Sequence, residues 1–294
     1  MRPLWRIALL TGCTAAILLI GCKNDPLTKV RRAAVMGDAQ AQLYLGSIYD
    51  TGEKVPKDSA EAVFWFSKAA EQGNAQAQLF LGRMYAAGRG VRRDYAEAAR
   101  WYRQAAEQGY APAQNKLGLM YEDGHGVPQD FAVAARWFRK AADQGNASAQ
   151  VNLGFMHDEG RGVPQDFAEA ARWFRKAADQ GDADAQDSLG DKYYSGSGVP
   201  QDFTEAARWY RKAADQGLMP AQMNLSSMYR DGRGVPQDRV RAHMWLNLAA
   251  SRASSDDRKW VAEQRDRLTA KMTAQQIAEA QRLAREWKPT GDGQ

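Results

Sequence analysis

The apolar residues of this chain return on a fixed schedule. Within residues 145–180, Leu153 and His157 lie four apart, and Ala170, Phe174 and Ala177 follow as Ala-x₃-aromatic-x₂-Ala. Spacings of three and four put each set on one face of a helix. Between them runs Gly160-Arg161-Gly162-Val163-Pro164, which cannot continue a helix. The unit therefore reads as helix, loop, helix. Gly37, Gly73, Gly109, Gly145, Gly181 and Gly217 each open a copy, 36 residues after the last. Such a period is the signature of stacked repeats, so the expected fold is all-α, an α/α solenoid.

Polar residues punctuate the same rhythm. Asn146 is placed to cap a first helix ending near Asp158, and Asp166 to cap the second. Asp166-Phe167-Ala168-Glu169 has the form of a capping box with Asp for Ser or Thr. Asp58/Glu61, Asp94/Glu97 and Asp202/Glu205 repeat it. Gly181 suits the left-handed conformation that closes a helix.

The packing positions do not drift. Leu45, Leu81, Leu117, Leu153 and Leu189 are each followed by Gly, and Leu225 by Ser226. A helical glycine costs up to about 1 kcal/mol against alanine, so a close helix–helix approach is expected there. Tyr49, Tyr85, Tyr121, His157, Tyr193 and Tyr229 stand three residues beyond that point. In the second helix Trp65, Trp101, Trp137, Trp173, Trp209 and Trp245 precede the aromatic position, which is Leu246 in the last copy.

Leu-Gly-x₂-Tyr followed by Ala-x₃-aromatic is the pattern of helical hairpins of the tetratricopeptide kind. The 36-residue period, the opening Ala147-Ser148-Ala149-Gln150 and the Gly-x-Gly-Val-Pro loop more specifically resemble the Sel-one-like repeat family, over residues 37–252. Lys54 replaces the loop's second Gly, Arg92 its Pro, and the last copy's second helix is rewritten. The resemblance implies a right-handed superhelix acting as a scaffold or adaptor, with first helices on the concave face. It implies neither one activity nor a cofactor. Cysteine-rich relatives linked to β-lactam hydrolysis carry a disulfide in each repeat, whereas both cysteines here, Cys13 and Cys22, precede the repeats. No disulfide framework or cysteine metal site is available to the body.

The ends differ from the repeats. Arg2 and Arg6 precede an apolar run from Ile7 to Ile20, short of the ~20 residues that span a bilayer and laid out like a secretory signal. Leu19-Ile20-Gly21-Cys22 resembles a bacterial lipobox, which implies cleavage before Cys22 and lipid on its thiol. A signal with a chance cysteine is the alternative. Leu10-Thr11-Gly12-Cys13 also fits but leaves too little apolar chain ahead of it. The expected address is periplasm-facing and lipid-anchored. Lys23, rather than Asp, favours the outer membrane over the inner. Asp25-Pro26 can start a helix about 10 Å of extended chain from the lipid. Residues 23–36 then match a lone second helix that caps the stack. At the other end, 253–294 predict two capping helices, with Thr273 and Gln276 as a capping box and Pro289 as the stop, then a disordered tail.

The formal charge of +5 falls to +3 without Arg2 and Arg6, from 38 basic against 35 acidic residues. That balance is too even to point to nucleic acid. The histidines are His125, His157 and His243. His157 stands at a packing position and His125 in a solvated loop, and no catalytic constellation or metal set emerges. The chain reads as a non-enzyme.

Two surfaces could serve a partner. Arg136/Arg139/Lys140, Arg172/Arg175/Lys176 and Arg208/Arg211/Lys212 form a basic stripe, suited to a glycan or peptidoglycan or simply to water, with Glu169, Glu205, Asp179 and Asp215 as counter-charges. The first helices vary at Tyr44/Ser47, Phe80/Arg83, Lys116/Leu119, Asn152/Phe155, Ser188/Asp191 and Asn224/Ser227. The aromatic, apolar and basic residues of the first four pairs have the character of interface anchors, so Tyr44, Phe80, Arg83, Lys116, Leu119, Asn152 and Phe155 are the candidate site for an envelope protein or peptide segment. Packing between neighbouring repeats is the other role open to Tyr44, Phe80 and Phe155. An adaptor in an envelope complex, or a regulator of a periplasmic sensor or enzyme, would both use such a face.

Overall fold

The structure, a computed structural model, describes residues 26–290, without the side chains of residues 255 and 256. Cys22, the Asp25 cap and the final four residues lie outside the described residues. Among those described there are fifteen helices and no strand. They form two compact units. The first holds α1 (Pro26–Val35), α2 (Ala39–Thr51), α3 (Ser59–Glu71), α4 (Ala75–Ala87), α5 (Tyr95–Glu107) and α6 (Ala111–Asp123) up to Met120. The second holds the end of α6, α7 (Phe131–Asp143), α8 (Ala147–Glu159), α9 (Phe167–Asp179), α10 (Ala183–Ser195), α11 (Phe203–Asp215), α12 (Met219–Asp231), α13 (Arg239–Arg252), α14 (Ser255–Thr269) and α15 (Ala274–Glu286). Within each unit, helices pack on their neighbours in sequence, the arrangement of an α/α solenoid.

The helical glycines explain the hairpin. A Cβ on Gly46, Gly82, Gly154 or Gly190 would stand 2.6 Å from a ring atom of Phe66, Tyr102, Phe174 or Tyr210, respectively. The second helix thus lays its aromatic ring directly on the backbone of the first. Those rings are almost wholly buried. In the last copy the ring is gone: Leu246 takes its place, and Ser226 fits, its hydroxyl donating to the Ala242 carbonyl at 2.8 Å.

A ladder of buried glutamines joins one hairpin to the next. Gln42, Gln78, Gln114, Gln150, Gln186 and Gln222 are each at most 5% exposed. Each donates from Nε2 to the carbonyl eight residues back, that of Ala34, Ala70, Ala106, Ala142, Ala178 or Ala214, at 2.9–3.2 Å. The side-chain Oε1 atoms of Gln42, Gln78, Gln150 and Gln186 in turn accept from Gln72, Gln108, Gln180 and Gln216 at 2.7–2.9 Å. Full pairing is what makes a buried amide tolerable. Because Ala34 serves Gln42 as Ala70 serves Gln78, α1 stands in the place of a second helix. The last rung is open. Arg252 occupies the position of the next glutamine and lies over Trp287 at 5.0 Å, leaving Gln222 Oε1 without a partner among the described residues.

The expected capping boxes of the second helices are only half made. Asp58, Asp94, Asp166 and Asp202 accept from backbone N–H groups of the first turn. The reciprocal bond is absent because the Asp backbone N–H is already taken. It donates to the carbonyl of the first helix's aromatic, as Asp166 does to His157 at 2.9 Å and Asp202 to Tyr193 at 2.9 Å. Three of the glutamates turn outward instead, Glu97, Glu169 and Glu205 pairing with Arg100, Arg172 and Arg208. Thr273 and Gln276 do form the complete box at α15. At this end Trp245, Leu246, Leu248, Val261 and Leu268 are buried together, with Trp287 packed against them.

The loop's second glycine is the strictest position. Gly90, Gly126, Gly162, Gly198 and Gly234 have φ between +68° and +79°. A Cβ on them would come within 2.0–2.3 Å of the backbone of Ser59, Tyr95, Phe131, Phe167 or Phe203, the start of the preceding second helix. Lys54 keeps the left-handed φ, at 66°. Gly162→Ala should therefore lower stability by about 2 kcal/mol or more, from strain and clash together. Lys54→Gly should raise it by up to about 1 kcal/mol by relieving strain alone. Urea unfolding of both variants checks the pair of signs.

Candidate partner-binding faces

The first unit holds Tyr44, Phe80, Arg83, Lys116 and Leu119, and the second holds Asn152 and Phe155. Tyr44, Arg83 and Lys116 are exposed. Phe80 and Phe155 are half-buried: Phe80 stacks at 5.3 Å on Phe66 of the preceding hairpin, and Phe155 meets Phe174 of its own hairpin edge-on at 5.0 Å. Phe80 thus packs between neighbouring repeats and Phe155 within its own, each keeping part of the ring open. Leu119 and Asn152 are also half-buried. Phe80 and Arg83 are brought together, with the guanidinium 5.7 Å from the ring centroid. They line a cleft of about 130 Å³ with Asp50, Phe66, Met84, Ala87 and Arg89. Asp50 is bound by Arg89. Arg83 makes no ion pair among the described residues, so the cleft combines apolar walls with one uncommitted cation.

The basic stripe is not a single surface. Its middle arginines are spent inside the stack. Arg175 on α9 hydrogen-bonds the Tyr193 hydroxyl on α10 and lies 5.1 Å from the Trp209 ring on α11. Arg211 repeats this with Tyr229 and Trp245, at 5.2 Å from the latter. Arg139 uses His157, its Nη2 2.9 Å from Nε2, and lies 5.8 Å from Trp173. A guanidinium only donates, so His157 Nε2 accepts here. Lys176 and Lys212 cover Trp173 and Trp209 from their own helices at 3.8 and 3.9 Å. Trp173 therefore has two cations over it and Trp209 three, Arg208 lying 5.6 Å from the latter, and the Arg139 and Arg175 contacts favour packing of neighbouring second helices. The outer Arg172 and Arg208 pair with Glu169 and Glu205 at 3.2 and 3.0 Å. Arg136 has Val133 where those acids stand. Sequence reasoning missed the clamp. Its signal was an arginine with an aromatic or histidine 18 residues on and a tryptophan 34 on.

The second unit has an acidic first-helix face on α10. Asp187 occupies a position that is Leu43, Leu79, Val151 and Met223 in other copies. It is half-buried and accepts from Asn224 Nδ2 on α12 at 3.2 Å. Burial, reinforced by the nearby Asp191 charge, pushes its carboxyl up to about 7. Asp191 is held by the Tyr210 hydroxyl at 2.6 Å. No cluster able to hold a metal ion occurs among the described residues. A raised carboxyl favours the folded state when protonated, so its contribution is full below about pH 4 and is lost as the pH rises to about 7. Asp187→Asn removes this loss. Its melting temperature should match the parent near pH 4 and exceed it at pH 8; a gap that does not change with pH contradicts the assignment.

No curated protein matches the chain. The crystal structure of c5321, described as a protective antigen of uropathogenic Escherichia coli strains displaying an SLR fold, is 38% identical with a TM-score of 0.77. The match covers 90% of this chain but only 56% of that one. A Sel1 repeat protein from Oxalobacter formigenes is 35% identical with a TM-score of 0.67, over 77% of this chain and 88% of the other. The Sel1 repeat model matches residues 39–74, 75–110, 111–146, 147–182, 183–218 and 220–254. With six such repeats along most of its length, the chain belongs to the Sel1 repeat family.

Proposed function

We propose that this protein is a scaffold or adaptor of the bacterial cell envelope, binding a protein segment on the first-helix face of its first unit. The Sel1-repeat fold commonly mediates protein–protein interaction, and repeats of this family are typically not enzymes. The observation that carries the reading is the Phe80–Arg83 cleft, with Tyr44 exposed on the preceding first helix. An apolar segment with one carboxylate suits those walls and that cation. Lipid on Cys22 would hold the stack at a membrane, with the outer membrane as the preferred address. A glycan-binding role for the basic stripe is less well supported, because Arg139, Arg175 and Arg211 are committed to the next repeat and Arg172 and Arg208 to acids.

A photo-crosslinking residue in place of Tyr44, Arg83 or Lys116, in cells, should yield an adduct with one envelope protein. The same residue in place of Arg136 or Arg172 should not. Phe80→Ala with Arg83→Ala should then weaken binding of that protein tenfold or more, while Arg83→Ala alone weakens it in part without lowering the melting temperature, which falls only where the Phe80 ring is lost from its stack on Phe66. Adducts formed equally from the stripe, or capture of wall fragments alone, would refute the cleft.

A further inference from the structure

Where the last repeat meets α14, the chain forms a cavity of about 360 Å³ lined by Arg230, Asp231, Gln237, Arg239, Gln264, Arg267, Leu268 and Lys271. Its one acid is spent, since Arg230 grips Asp231 through two hydrogen bonds of 2.7 and 2.9 Å. Arg239, Arg267 and Lys271 remain. None makes an ion pair among the described residues, and all three are exposed. The cavity wall is tied together by Arg239, which donates to the Lys271 carbonyl at 3.3 Å.

The stack does not require these charges. Arg239 opens α13 at a position that is Ser59, Tyr95, Phe131, Phe167 and Phe203 in the other copies. There the start of the second helix receives the next repeat's loop glycine. No seventh repeat follows, and that role lapses. An apolar or small residue would have served, yet the position holds a cation at the positive end of a helix, where cations are disfavoured. Arg241, two residues on, likewise replaces the acids Glu61, Glu97, Glu169 and Glu205, and it is offset by Asp238 at 3.5 Å.

We propose that this cavity binds a phosphate group. Three cations without an acid partner among the described residues suit an anion of two or more charges. Two of them are arginines, whose planar fork matches phosphate oxygens. The volume admits a pyrophosphate or a sugar phosphate. The same chemistry is offered by a soluble phosphate ester and by a phospholipid headgroup.

The test uses the full chain purified in detergent, titrated calorimetrically with pyrophosphate and with glycerol phosphate. A second arm measures sedimentation with phosphatidylcholine vesicles with and without phosphatidylglycerol. Arg267→Gln with Lys271→Gln empties the cavity of two charges. Arg172→Gln with Arg208→Gln removes the same charge from the outer stripe. Saturable binding of either probe that falls tenfold or more in the cavity variant, and less than twofold in the stripe variant, supports the site, and the responding probe identifies the source. Absence of saturable binding to both probes, or equal loss in the two variants, overturns it. Unchanged melting temperatures of these surface variants exclude misfolding as the cause.

Discussion

Everything in this molecule rests on a missing methyl group. In four of the hairpins, closure depends on a first-helix position that lacks a Cβ, Gly46, Gly82, Gly154 or Gly190, and the ring of the second helix fills that space at 2.6 Å. A glycine that weakens its own helix is thereby offset by the burial of a phenylalanine or tyrosine, worth roughly 1.5–3 kcal/mol. The last copy shows the converse: with Leu246 in place of the ring, Ser226 stands in place of the glycine and finds its own hydrogen bond. Ring and glycine behave as one unit.

Contacts between hairpins follow from that spacing. The buried glutamines reach the preceding helix, the loop glycines rest on its first turn, and the arginines cross to the next tyrosine and tryptophan. All of these recur at 36 residues and draw on the same shared positions. What remains free is the varied face of the first helices and the two ends. Function is therefore sought at Phe80 and Arg83, on α10, and beside α14, where copies depart from one another.

Helices, loops and caps were legible because each rests on local rules of spacing, glycine and side-chain acceptors. The half-made capping boxes were not, because Asp166 N–H is claimed by a carbonyl of the facing helix, which a four-residue motif does not contain. The arginine clamp was hidden for the same reason: a run of Arg and Lys reads as a solvated face until the neighbouring helix supplies Tyr193 and Trp209. Phe80 and Phe155 were found as variable residues, but only the fold shows that each ring is half spent on packing, Phe80 on the preceding hairpin's Phe66 and Phe155 on its own hairpin's Phe174. Asp187 was passed over because its neighbours in other copies, Leu43 and Val151, become visible as buried only once the helices are stacked.

The most direct test of this account is a double-mutant cycle on one internal hairpin, with Gly154→Ser, Phe174→Leu and both together, followed by urea unfolding. The ring–glycine contact predicts that each single change destabilises and that the double costs at least about 1 kcal/mol less than their sum, as expected for residues in direct contact. Additive losses within about 0.3–0.5 kcal/mol would mean that glycine and ring act independently, and the hairpin would need another explanation.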